Sequence, residues 1–190
     1  MFDKYRETGF TGKFTERRLP DRRNVGGEVR KKIISWDVAP EKEYFEELFR
    51  VSRNQIIWGG NYFELPPTRC FLIWRKTNVP ENFSMAMCEY AWTSFNANAK
   101  MFEFSAVGQS GRFHPTQKPI ELYKWIISNY ANEGDTILDT HVGSASSLIA
   151  CHQTGHKFVG FEIDPGYYEK AKTRLEVAQS QISLFDIGEL

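Results

Sequence analysis

The order of apolar and polar positions divides the chain into a patternless start and a strongly patterned remainder. From Met1 to Lys32 apolar residues are sparse and keep no period. From Glu41 to Val51, the residues Tyr44, Phe45, Leu48, Phe49 and Val51 fall at helical spacing, and Pro40 stands where proline commonly opens a helix. Gln55 to Trp58 reads as a buried strand stopped by Gly59-Gly60-Asn61, and Cys70 to Trp74 as a second. Tyr90 to Phe95 predicts a third, with weaker alternation. The pattern then fades, so Asn96 to Phe113 is expected to be a polar, glycine-containing loop.

The last third is the clearest. Ile120 to Tyr130 is helical, with Leu122, Trp125, Ile126 and Tyr130 on one face. Thr136 to Asp139 is a short strand, Ser146 to Gln153 a helix closed by Gly155, and Lys157 to Glu162 another strand. Pro165 to Gln179 is a helix for which Asp164 is the expected N-cap. Alternating helix and strand predict an α/β domain, a parallel-rich open sheet with helices on both faces.

Composition changes this picture little. The 190 residues are 41% hydrophobic and 25% charged, enough for one packed domain, and the formal net charge of zero gives no overall pull toward nucleic acid. Residues 1–32 carry ten Lys and Arg against five Asp and Glu. They read first as a mobile solvated arm, and second as a contact to a DNA backbone. No apolar run is long enough for a membrane helix and no signal-peptide core opens the chain. Cys70, Cys88 and Cys151 are far apart and odd in number, which suits reduced thiols and a cytoplasmic protein. No Cys/His cluster has zinc spacing, so no metal is expected.

Candidate chemistry gathers at Asp139-Thr140-His141-Val142-Gly143-Ser144-Ala145-Ser146. A strand ends in an acid, a small-residue turn follows, and a helix begins. In parallel α/β sheets ligands sit outside the carboxyl ends of strands. Gly143, Ser144 and Ala145 let a ligand approach the backbone closely. The next strand ends in Glu162, 23 residues after Asp139, the spacing at which an acid holds ribose hydroxyls in nucleotide-binding domains. The plainer alternative is that Asp139 caps the following helix and Glu162 is a surface acid. The turn lacks G-x-G-x-x-G, which argues against a dehydrogenase.

His114-Pro115-Thr116-Gln117-Lys118-Pro119 stands directly before the helix that leads to the Asp139 strand. This block, the Asp139 to Ser146 loop and Gly160-Phe161-Glu162-Ile163-Asp164 follow in the order of the DNA amino-methyltransferases in their permuted, beta-type arrangement, which the chain resembles from about Trp36 to Ile182. Asn54 to Phe63 and Phe71 to Lys76 look like the middle of small phage-type members. The Asp-Thr-His form of the loop departs from the commoner Asp-Pro-Phe.

The resemblance implies a Rossmann-like S-adenosylmethionine-dependent methyltransferase fold, double-stranded DNA as partner, and methyl transfer to adenine N6 of a flipped base, with cytosine N4 the near alternative. Asp139, Thr140, His141, Gly143 and Ser144 would line the pocket for the methionine part of the cofactor. Glu162 would hold its ribose, and His114, Thr116 and Lys118 would flank its carboxylate. Taken singly, Lys118 could be merely solvated and His114 a helix-entry cap, while His141, His152 and His156 read as structural or exposed. Trp58, Trp74 and Trp92 read as core. Within residues 33–190, the stretch 78–113 would be a short target-recognition region and 114–180 the cofactor-binding part.

The family's catalytic signature is Asp, Asn or Ser, then Pro-Pro, then an aromatic, and in this order it belongs upstream of Trp36. Leu19-Pro20-Asp21-Arg22 does not fit it, and Leu65-Pro66-Pro67-Thr68 has the wrong flanks in the wrong place. The strand that should carry the signature lies centrally in the family's sheet, beside the Asp139 strand. Its absence leaves three readings open: a late start within a longer gene product, an altered replacement in residues 1–32, or a catalytically incomplete relative. A homodimer or a companion chain could cover the exposed strand edges.

Overall fold

The computed structural model describes residues 38–107 and 111–181. The arm at 1–32 and the Leu19 to Arg22 tetrapeptide lie outside the described residues. The chain divides into two units, Met1–Lys42 and Glu43–Leu190, and every strand described belongs to the second.

The elements run α1 (Lys42–Val51), β1 (Ile56–Trp58), a 3-10 turn (Gly60–Tyr62), β2 (Phe71–Lys76), β3 (Cys88–Thr93) and β4 (Lys100–Phe104). They continue with α2 (Ile120–Tyr130), β5 (Thr136–Asp139), α3 (Ser146–Gln153), β6 (Lys157–Gly160) and α4 (Pro165–Ser180). The α/β class is as expected, and α2, β5 and α3 have the predicted limits. Asp164 caps α4 as expected, its side chain accepting from the backbone N–H groups of Gly166 and Tyr167.

The strands form two sheets. The larger has the order β1-β3-β2-β4, and the smaller pairs β5 with β6. Parallel pairing holds for β2–β4 and β5–β6, whereas β3 runs antiparallel to both its neighbours and makes the larger sheet mixed. The physical reason is the connection from β2 to β3: it carries no helix, and a return without a crossover gives an antiparallel neighbour. The unit β5–α3–β6 is a parallel pair with its crossover helix.

One expectation is corrected. Asn96 to Phe113 is not all loop, because Lys100–Phe104 pairs in parallel register with β2, from Leu72↔Lys100 to Lys76↔Phe104. Phe102 and Phe104 pack into the core beside Trp125 while Lys100, Met101 and Glu103 are exposed. An edge strand with one wet face needs only those two aromatics, too few for a strong sequence pattern. The expected recognition stretch 78–113 therefore contains two sheet strands.

The core is built on α2. Leu122 and Ile126 meet Cys70, Leu72, Trp74 and Ala91 of the larger sheet. One turn round the helix, Ile127 meets Ala150 and Cys151 of α3, with Ile137 and Phe158 of the smaller sheet packed on them. On the opposite face of the larger sheet, Phe49 of α1 sets its ring edge-on to Trp92 at 5.9 Å. Helices thus cover both faces of the larger sheet. Trp74 and Trp92 are core residues as read, and Trp58 is half-buried against the same cluster. Among the described residues no strand joins the sheets: β1 pairs with β3 alone and β5 with β6 alone.

Candidate cofactor site

Strand register brings the ends of β5 and β6, and so the stretches that carry Asp139 and Glu162, to the same edge of the smaller sheet. Asp139 stands opposite Gly160, and the Phe161 N–H donates to the Asp139 carbonyl at 2.9 Å. The chain then turns sharply at Gly143, with φ 55, and at Ala145, with φ 61, before α3 begins. The first value favours glycine, and the second is borne by an alanine, a strained backbone of the kind found at ligand-holding loops. Gly160 is needed for packing: a Cβ there would lie 2.6 Å from Val142 and 2.8 Å from Leu148.

Glu162 closes the turn. Its Oε2 accepts the Gly143 N–H at 2.8 Å and its Oε1 accepts the Asp164 N–H at 2.9 Å. Each carboxylate oxygen keeps a lone-pair direction beyond these bonds, so a diol could still be held. Asp139 accepts the His141 N–H at 2.9 Å and the Ser147 hydroxyl, so it also serves the start of α3.

The His114 block reaches the same turn. A Cβ on Gly143 would come within 3.2 Å of the His114 ring, so the imidazole lies flat against a backbone with no side chain. The ring also meets Tyr167 of α4 edge-on at 4.4 Å, and its Nδ1 is 3.1 Å from the Thr116 hydroxyl. Burial lowers the proton affinity of His114; the Glu162 carboxylate opposes this, and Lys118 reinforces it.

The other expected residues have varied surroundings. Thr140 is half-buried and bonds the Tyr44 hydroxyl at 2.7 Å and His141 Nδ1 at 3.0 Å. His141 is exposed, edge-on to Tyr44. Ser144 is buried, with its hydroxyl 3.1 Å from that of Ser146, and its carbonyl accepts from Arg174 at 2.6 Å. Lys118 is not merely solvated. Its ammonium is 3.1 Å from Glu89 Oε2 and 5.1 Å from the centre of the Trp58 ring. Sequence reading missed Glu89, Tyr167 and Arg174, none of which stands in a motif. An open depression of about 440 Å³, lined by Gly111, Phe113, Glu169, Lys170, Thr173 and Arg174, adjoins the turn through Arg174.

His114, Gly143 and Glu162 are far apart in the chain and meet at one turn. The family model described as DNA methylase, that of the N6/N4 methyltransferases, matches residues 28–173. The chain belongs to this family. Among curated relatives, the chain is 37% identical over 91 residues to the type II methyltransferase M.HpaI of Haemophilus parainfluenzae, covering 46% of this chain and 28% of that one. It is 43% identical over 65 residues to the DNA adenine methyltransferase YhdJ of Escherichia coli K12, covering 34% and 22%. The matches thus span about a quarter of these relatives. Of solved structures, the M1.HpyAVI–SAM complex aligns at 29% identity with a TM-score of 0.43, over 55% of this chain and 60% of that one. The PvuII cytosine-N4-specific DNA methyltransferase aligns at 14% identity with a TM-score of 0.47, over 63% and 54%.

Proposed function

We propose that this chain binds S-adenosylmethionine at the carboxyl ends of β5 and β6, as the cofactor-holding part of a DNA methyltransferase that modifies adenine N6. The observation that carries the reading is the convergence of the His114 ring and the Glu162 carboxylate on Gly143. It draws the His114 block, the turn after β5 and the acid after β6 together at the carboxyl ends of the two strands, the place where parallel α/β sheets hold nucleosides. Both curated relatives named above carry methyltransferase names, and one of them names adenine.

When bound, the cofactor supplies a methyl group on a positively charged sulfur. The residues of this chain bind and orient. Glu162 accepts hydrogen bonds from ribose hydroxyls while its backbone bonds keep the carboxylate from turning. Asp139 and the turn it anchors line the amino-acid tail. The neutral His114 ring fills the space behind Gly143 and seats the turn against α4. Catalysis of this type is chiefly orientation and exclusion of water. Double-stranded DNA is the proposed partner. The connections 78–87 and 94–99, with 105–107 and 111–113, are the described parts of the expected recognition stretch that the sheet does not use. Cytosine N4 remains the near alternative, since both acceptors are exocyclic amines.

A second reading has its own support. The Pro-Pro-aromatic acceptor signature is absent from the sequence, and among the described residues β1 and β5 each have an edge without a strand partner. Both suit a cofactor-binding subunit completed by a companion chain or a second copy.

Transfer of labelled methyl from S-adenosylmethionine to unmethylated duplex DNA separates the two. Incorporation by this chain alone supports the complete enzyme, and hydrolysis to nucleosides reads the modified base. No incorporation by a folded sample that binds the cofactor supports the subunit. A folded sample that does not bind S-adenosylmethionine overturns both.

A further inference from the structure

Away from the turn, a second group of charges is buried at the carboxyl edge of the larger sheet. Lys76 is the last residue of β2 and Glu89 lies at the start of the antiparallel β3, so strand register brings them to the same end. Lys76 Nζ is 2.8 Å from Glu89 Oε1, and Lys118 Nζ is 3.1 Å from Glu89 Oε2. The lysine side chains are 8% and 11% exposed and the glutamate 34%. Each ammonium also lies over an indole, Lys76 over Trp74 at 5.2 Å and Lys118 over Trp58 at 5.1 Å.

Two ammonium groups share one carboxylate, so the array holds one positive charge in excess. Burying such an excess is costly unless an anion completes it. An ammonium has three donors, and Lys118 uses one on Glu89. Lys118 also belongs to the block whose His114 touches Gly143. Tyr123, on the first turns of α2, lies within electrostatic reach of both Asp139 and Glu89. The array and the turn therefore flank the same stretch of chain, 114–123.

We propose that Lys76 and Glu89 are positioning residues of the cofactor site, which hold Lys118 and set the excess charge that receives the carboxylate of the cofactor's amino-acid tail. The inference rests on the reading of the turn as an S-adenosylmethionine site. Glu89 and the Trp58 ring together hold the Lys118 ammonium. Lys76 balances Glu89, so that Lys118 is not neutralised by its own holder.

The test is calorimetric binding of S-adenosylmethionine and of decarboxylated S-adenosylmethionine, which keeps the sulfonium and the ammonium but lacks the carboxylate. The ratio of the two affinities reports the carboxylate alone. Lys76→Met removes the excess charge and is expected to lower the ratio about five- to tenfold. Lys76→Arg keeps the charge and should keep the ratio. Glu89→Gln keeps an amide oxygen that can accept from Lys118 and leaves two cations, so it should hold the ratio or raise it. An unchanged ratio in Lys76→Met overturns the proposal, as does a fall in Glu89→Gln equal to that in Lys76→Met, since that marks a packing role only. If Lys76→Met does not fold, the direction of change in Glu89→Gln decides. Equal affinity of the unaltered chain for both ligands overturns this inference and leaves the cofactor reading standing, whereas no affinity for either removes both.

Discussion

At the scale of single residues, the site depends on atoms that do two tasks. Glu162 is tied to the backbone at Gly143 and Asp164 and is also the proposed ribose acceptor. Removing it leaves two N–H groups and two hydroxyls in need of new partners. Glu162→Ala is expected to weaken S-adenosylmethionine binding by about 1–3 kcal/mol, read by titration calorimetry. An unchanged affinity in a folded variant takes Glu162 out of the site. Gly143 allows no such trade. Its φ of 55 strains any residue with a side chain, and a Cβ there would press on the His114 ring at 3.2 Å. The conformational argument was legible in the sequence, but the contact was not, because the ring comes from 29 residues earlier.

At the scale of elements, α4 ties the smaller sheet to the turn. Its N-cap Asp164 accepts from Gly166 and Tyr167, and Pro165 at the first position needs no partner for a missing N–H. Further along, Tyr167 touches His114, and Arg174 donates to the Ser144 carbonyl and to the Ser146 hydroxyl. Asp164→Ala should cost about 1 kcal/mol of stability in chemical denaturation. Loss of well under that amount would mean that Pro165 and packing alone set the start of the helix. The cap could be read from Asp-Pro before a helical pattern. The grip of Arg174 on the turn could not, since one arginine on a helix with many charges looks like solvated surface.

At the scale of the whole molecule, folding stability is linked to two buried titrations. Burial lowers the proton affinity of His114 below that of an ordinary imidazole. The unfolded chain then binds more protons than the folded one, so stability is complete above about pH 6.5 and declines as pH falls through that region. Burial raises the Glu89 carboxyl, but Lys118 and Lys76 outweigh it and hold the group below its ordinary value of 4.5. Its contribution is present above that value and is lost on further acidification. Denaturation midpoints measured against pH should therefore fall in two stages. His114→Gln should abolish the decline that begins near pH 6.5 and spare the one below 4.5. Persistence of the decline near pH 6.5 in that variant would show that His114 does not carry the first stage.

What the sequence determined by itself was local. Helical spacing, strand runs and turn residues set α2, β5, α3 and α4, because their patterns repeat over neighbouring positions. The three motif segments and their order also pointed to the methyltransferase family, in which the chain belongs by its match over residues 28–173. Tertiary structure alone decided what depends on register and on contacts between distant segments. Parallel pairing with β2 turned an unpatterned stretch into β4. The short β2–β3 connection made the larger sheet mixed. Packing against two sheets placed α2 so that Lys118 meets Glu89 rather than water. Those outcomes follow from long-range contacts whose residues stand in no fixed spacing along the chain, and only the folded backbone brings them together.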